Sequence, residues 1–97
     1  MKEFDKVKES LQADLQWYIA MKKSVQSHIN KIDALRRKAV SKGNDDTALE
    51  HTNQLVQLRK DYAYIGGCED GVRHALRTIA HYEESIDSIR DDEEEIL

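Results

Sequence analysis

Two carboxylates one helical turn apart are the first candidates for chemistry in this chain. Glu84 and Asp87 are three residues apart, which puts both side chains on one face of a helix. Such a pair can bind Mg²⁺ when further carboxylates converge on the ion from another helix. No E-x-x-E pair occurs earlier in the chain to supply them. The sequence therefore predicts no magnesium site.

The histidines and the single cysteine are no better placed for chemistry. His74 and His81 are seven residues apart, about 10 Å along a helix axis, whereas helical metal ligands lie one turn apart. Cys68 has no basic neighbour at a predictable position that would activate its thiol. We therefore expect no catalytic residue, no metal and no cofactor, and we do not expect an enzyme.

Four small residues at four-residue spacing are the most distinctive feature of the second half of the chain. They align along one side of a helix as a small-residue ridge and leave a shallow groove that a second helix could enter: Ala63, Gly67, Gly71 and Ala75. Glycine inside a helix costs about 1 kcal/mol relative to alanine, so we expect a helix to pack on this ridge. In a hairpin the predicted contacts come from Trp17, Ala20 and Ser24, with Trp17 filling the groove.

Composition and charge favour a single, small, all-α domain. Charged residues make up 35% of the 97 residues, and proline is absent. Residues 1–43 carry a net charge of +5 and residues 44–97 a net charge of −9, a division that suits antiparallel helix pairing. A lone cysteine, a charged beginning and no long apolar run together predict a cytoplasmic protein without a membrane partner.

The first 41 residues carry a heptad repeat, which predicts a helix over about residues 2–41. Its main positions, seven residues apart, are Phe4, Leu11, Tyr18, Val25, Ile32 and Ala39. Val7, Met21 and Leu35 are predicted to complete the apolar seam, with Asp14 and His28 as exceptions next to Leu15 and Ile29.

A turn over residues 42–46 should connect this helix to a second one over about residues 47–90. Gly43 can adopt the left-handed conformation that ends a helix. Thr47 and Glu50 match a capping box, with residues 44–46 as alternative caps. The second helix repeats every seven residues at Leu58, Ile65, Val72, Ile79 and Ile86; the companion positions are Leu55, Tyr62 and Leu76, interrupted by Glu69 and Glu83.

The predicted architecture is a long antiparallel helical hairpin, resembling a coiled coil, that dimerises into a four-helix bundle. A break at Gly66-Gly67 would instead give a three-helix bundle. Residues equidistant from Gly43 should face each other across the hairpin. Residues 91–97 are predicted to form a flexible acidic tail.

These features favour a protein–protein interaction module, a small adaptor or inhibitor that binds and occludes a partner protein. In length and helical composition the chain resembles short accessory proteins of bacteriophages. The acidic tail could dock on the partner through Asp91, Asp92, Glu93, Glu94, Glu95, Ile96 and Leu97. The alternative is a nucleic-acid-associated protein that contacts phosphates through a basic cluster of Lys31, Arg36, Arg37, Lys38 and Lys42.

Overall fold

Two long helices form an antiparallel hairpin. The computed structural model describes the backbone of residues 2–96 and the side chains of residues 4–89. Helix α1 spans Lys2–Ser41 and helix α2 spans Asp45–Ile96. The rod they form is 81 Å long and no more than 17 Å across, and its described part contains no strand. We call residues 23–64 the turn half and the rest the open half.

The turn is a helix-terminating motif followed directly by a helix cap. Gly43 has a φ of 71°, and its N–H donates to the carbonyl of Val40 at 3.0 Å, while the Asn44 N–H donates to the carbonyl of Ala39 at 2.9 Å. These two bonds form a Schellman motif. The side chain of Asn44 then accepts from the N–H of Thr47 at 3.4 Å. Asn44 is therefore the cap, α2 begins at Asp45, and the capping box predicted to start at Thr47 is not used.

The core is thin and concentrated near the turn. Ile29, Ile32 and Leu55 form its buried cluster, with Val25, Leu58 and Tyr62 packed against it. Leu55 is the best-covered side chain of the cluster, at 2% exposure. These contacts match the predicted register, in which residues equidistant from Gly43 face each other.

Helix α2 passes through Gly66-Gly67 without interruption, so the hairpin forms and the three-helix alternative does not. The seven-residue step from Ile65 to Val72 explains this continuity, because it keeps both side chains on the seam across the glycines. Helix α2 also extends past the predicted end near residue 90. The side chains of the predicted acidic tail, residues 91–97, lie outside the described residues, so the flexible tail stays a prediction. No helix in the described part of the chain is long and apolar enough to cross a membrane.

Candidate protein-interaction surface

Among the described side chains, two ion pairs join the helices and fix the hairpin that carries the surface. Lys22 Nζ lies 3.0 Å from a carboxylate oxygen of Glu69, and Lys8 Nζ lies 3.0 Å from one of Glu83. Both pairs are partly buried on the seam, and Glu69 is also paired with Arg73 at 3.2 Å. The hydrogen bond from Lys22 lowers the pKa of Glu69, and the one from Lys8 lowers the pKa of Glu83. Charged pairs at core positions of a coiled coil specify its register.

The predicted seam of α1 needs one correction. Val7 and Leu35 are exposed, and the companion seam positions are instead Lys8, Leu15, Lys22, Ile29 and Arg36, all partly or fully buried. Sequence reasoning missed the lysines because it sought apolar residues. A usable signal was present, since Lys8 and Lys22 are fourteen residues apart on α1 and so are Glu69 and Glu83 on α2.

One side of the hairpin collects most of the exposed large apolar side chains. In each helix, the residue immediately before a seam residue lies beside the seam. Because the two helices are antiparallel, these residues of both helices lie on the same side of the hairpin. Contacts across the seam agree, with Phe4 packing edge-on against Tyr82 at a ring-centroid distance of 6.0 Å. Of the nine exposed large apolar residues within residues 4–89, six lie there. With half-buried Met21 and Cys68 they form what we call the aromatic flank: Val7, Trp17, Met21, Leu35, Tyr64, Cys68, Tyr82 and Ile89.

The centre of the aromatic flank lies where Trp17 and Tyr18 of α1 come alongside Cys68 of α2. Trp17 packs edge-on against Tyr18 at 5.3 Å between ring centroids and remains 58% exposed. The neighbouring Cys68 thiol is the main cause of a raised pKa at Tyr18. Tyr18 is therefore a neutral phenol at physiological pH.

An open groove of about 220 Å³ indents the turn half of this flank. Its apolar floor is formed by Ile32 and Leu58, and its rim by His28, Gln54 and Gln57. An apolar floor with a polar rim suits a side chain that is apolar in its body and polar at its tip.

The opposite flank carries a larger groove of different character. It has about 470 Å³ and is lined largely by polar side chains, among them Lys23, Gln26 and Asn30. Lys22, which also lines it, is held by Glu69 and lies 5.2 Å from the centre of the Tyr62 ring. Lys22 and Glu69 are therefore already engaged with each other within the hairpin, whereas Lys23 is exposed.

The prediction that Trp17 fills the groove of the small-residue ridge is wrong. A Cβ added to Gly67 or Gly71 would meet nothing within 4 Å, and Trp17 packs on its own neighbour Tyr18. Ala20, Ser24 and Ala63 are also exposed, and Ala75 is half-buried. The physical reason is the spacing, because a four-residue repeat winds around the helix relative to a 3.5-residue seam. The ridge therefore crosses the outer surface of α2 obliquely and reaches the aromatic flank at Gly71 and Ala75.

The basic cluster is only partly available for phosphates. Arg36 and Arg37 both pair with Asp33, at 2.9 and 3.0 Å, and Arg36 lowers the pKa of that carboxyl. Lys31, Lys38 and Lys42 are exposed. A nucleic-acid contact would depend chiefly on these three lysines.

No metal-binding group assembles in the part of the chain whose side chains are described. No three His, Cys, Asp or Glu side chains converge there. Glu84 and Asp87 both face solvent, as do His74 and His81. What the described residues do bring together is the set of exposed apolar side chains of the aromatic flank.

Comparisons of the chain with protein-family models, with curated proteins and with solved structures give no match.

Proposed function

We propose that this protein is a non-enzymatic protein–protein interaction module, an adaptor or inhibitor that binds and occludes its target through surface contacts. The observation that carries the proposal is the aromatic flank. Trp17 and Tyr64 are 58% and 75% exposed, and aromatic side chains on one surface are the residues that most often dominate protein interfaces. Helices are the kind of partner that a long, straight, apolar stripe accommodates.

The hairpin suits occlusion because it is long and held in one register. A rod of 81 Å can cover a large area of a target, and the Lys22–Glu69 and Lys8–Glu83 pairs hold the flank residues of the two helices level. Binding by occlusion needs no catalytic group.

The proposal is tested by affinity capture with matched variants of the full chain. The test variant is Trp17→Gln with Tyr64→Gln, and the control is Leu49→Gln with Val56→Gln, which removes exposed apolar residues from the opposite flank. We expect wild type and control to retain the same specific protein and the test variant to lose it. Retention of the same proteins by all three would contradict the proposal.

The nucleic-acid alternative is tested separately. Contacts limited to the three exposed lysines should give weak, sequence-independent binding that is lost at physiological salt. Tight binding to labelled DNA or RNA under those conditions, abolished by Lys31→Gln with Lys38→Gln, would favour the alternative instead.

A further inference from the structure

We infer that the aromatic flank binds a second copy of this chain, with the two hairpins antiparallel about a two-fold axis that crosses the flank at Met21 and Cys68. The inference rests on the proposed function, since it names what covers the same surface in the free protein; a target binds there in place of the second copy. In this dimer the turn end of one copy lies beside the open end of the other. Helix α1 packs on α1 of the second copy, and α2 packs on α2.

The amount of exposed surface calls for such a partner. The chain exposes 7467 Å², whereas a compact monomer of 11.2 kDa exposes about 5,700 Å². The excess is well above the roughly 800 Å² that each partner buries in a stable interface. A two-helix rod has no third layer to cover its flank, and a second rod of equal length supplies one.

Side-chain size along the flank is self-complementary in this arrangement. A residue a given distance before Met21 or Cys68 lies level with one the same distance after it in the second copy. Trp17 lies four places before Met21 and Ser24 three places after it, so Trp17 lies within one residue, about 1.5 Å, of the level of Ser24 of the second copy. Tyr64 and Gly71 have the same offset about Cys68, and a Cβ added at Gly71 finds only open space. Each exposed ring thus lies opposite a position that leaves room for it.

The remaining positions of the flank also match. Val7 lies level with Leu35 of the second copy, both being exposed apolar residues fourteen places from Met21. Tyr82 lies level with Gln54, at the groove floored by Ile32 and Leu58. The ring of a tyrosine fits that floor and its hydroxyl fits the polar rim.

Charge selects the antiparallel arrangement over the parallel one. The turn half carries a net charge of +3, and the open half carries −7 over residues 1–22 and 65–97. Antiparallel rods place these opposite charges side by side, whereas parallel rods would place the two acidic ends together. Like charges in juxtaposition disfavour the parallel dimer.

Thiol cross-linking of the full chain tests the geometry. Oxidation should join wild-type chains through Cys68, which lies at the axis. Two further variants are made in a Cys68→Ser background, Asp14→Cys and His28→Cys. Neither variant alone should form a cross-linked dimer with a short bis-maleimide. In each case the two cysteines of the dimer lie fourteen residues apart, about 21 Å along the rod. An equimolar mixture of the two variants should cross-link, since each lies seven residues from Met21. Self-linking of Asp14→Cys without mixed linking would overturn the antiparallel arrangement.

Sedimentation equilibrium separates this inference from the proposed function. Wild type should be a dimer at high micromolar concentration, and Trp17→Gln should raise the dissociation constant by about tenfold or more, with helicity by circular dichroism unchanged. Leu49→Gln on the opposite flank is the control and should leave the dimer intact. A monomeric wild type overturns the inference; if target capture still depends on the aromatic flank, the proposed function stands without it.

Discussion

The same heptad repeat runs through both halves of the hairpin, but it has a different role in each. In the turn half the seam is apolar apart from half-buried Arg36 and His51, and five of its residues are buried: Ile29, Ile32, Ala39, Ala48 and Leu55. Among the side chains of the open half that the structure describes, only Ile65 and Glu69 reach that degree of burial, and Lys8, Lys22, Glu69 and Glu83 occupy seam positions. The turn half therefore supplies stability, and the open half supplies register and most of the aromatic flank.

The difference between the two halves predicts that the largest loss of stability comes from a substitution at Leu55. Leu55→Ala removes the best-covered side chain of the core and should lower the free energy of unfolding by about 2–5 kcal/mol, measured by urea denaturation. The matched control is Leu76→Ala, on the half-buried seam of the open half. Equal losses at the two positions would contradict the difference between the halves.

A smaller loss is expected at the turn. Gly43 has a φ of 71°, a conformation that costs a residue with a Cβ about 1–2 kcal/mol. Gly43→Ala should therefore destabilise the hairpin by about that amount in thermal unfolding. Gly67→Ala is the control and should be neutral or stabilising, since its Cβ meets nothing and alanine favours the helix.

Acid should open the hairpin from its open end. Glu69 and Glu83 have pKa values held below the ordinary 4.5 by Lys22 and Lys8. Their pairs therefore stabilise the fold above that pH and lose this contribution as pH falls through the lowered values. Asp33 is paired within α1, so its protonation does not separate the helices. Amide exchange should rise first in residues 4–22 and 65–86; simultaneous loss of protection in both halves would contradict this order.

The smallest effect on stability is expected when both partners of an ion pair are replaced together. Glu69→Leu alone leaves Lys22 on the seam without its partner and should lower the melting temperature, though by less than Leu55→Ala. Adding Lys22→Leu should restore or raise it, because apolar side chains can replace a partly buried ion pair without loss. The double variant should also lose specificity of register, seen as broadened amide resonances. Sharp resonances and a single register would show that the pair has no such role.

Much of this fold was predictable from sequence, and the error in the predicted α1 seam has a physical cause. The heptads fixed α1 and the seam of α2, because periodic burial dominates in a long helix. The heptads did not decide which residues beside the line through Phe4 and Leu11 complete the α1 seam. The set that includes Val7 and the set that includes Lys8 both contain apolar residues. The choice depends on partners in α2, where Glu69 and Glu83 require Lys22 and Lys8. Because the lysines occupy the seam, Val7 and Leu35 lie on the exposed aromatic flank and not in the predicted core.

The prediction that the small-residue ridge packs against α1 failed for a second reason, the period of the ridge. Its residues were correctly grouped as neighbours on one helix, but their four-residue period cannot follow a 3.5-residue seam. Packing against α1 was therefore excluded by geometry, and only Gly71 and Ala75 reach the surface that we assign to a partner.

The most direct test of that surface is the fluorescence of Trp17, the only tryptophan in the chain. In a single hairpin its ring is 58% exposed, and in the proposed assembly the second copy covers it. We predict an emission maximum that shifts to shorter wavelength as protein concentration rises from nanomolar to high micromolar, in step with the dimer fraction from sedimentation. A solvent-exposed emission maximum across the whole range would contradict the account.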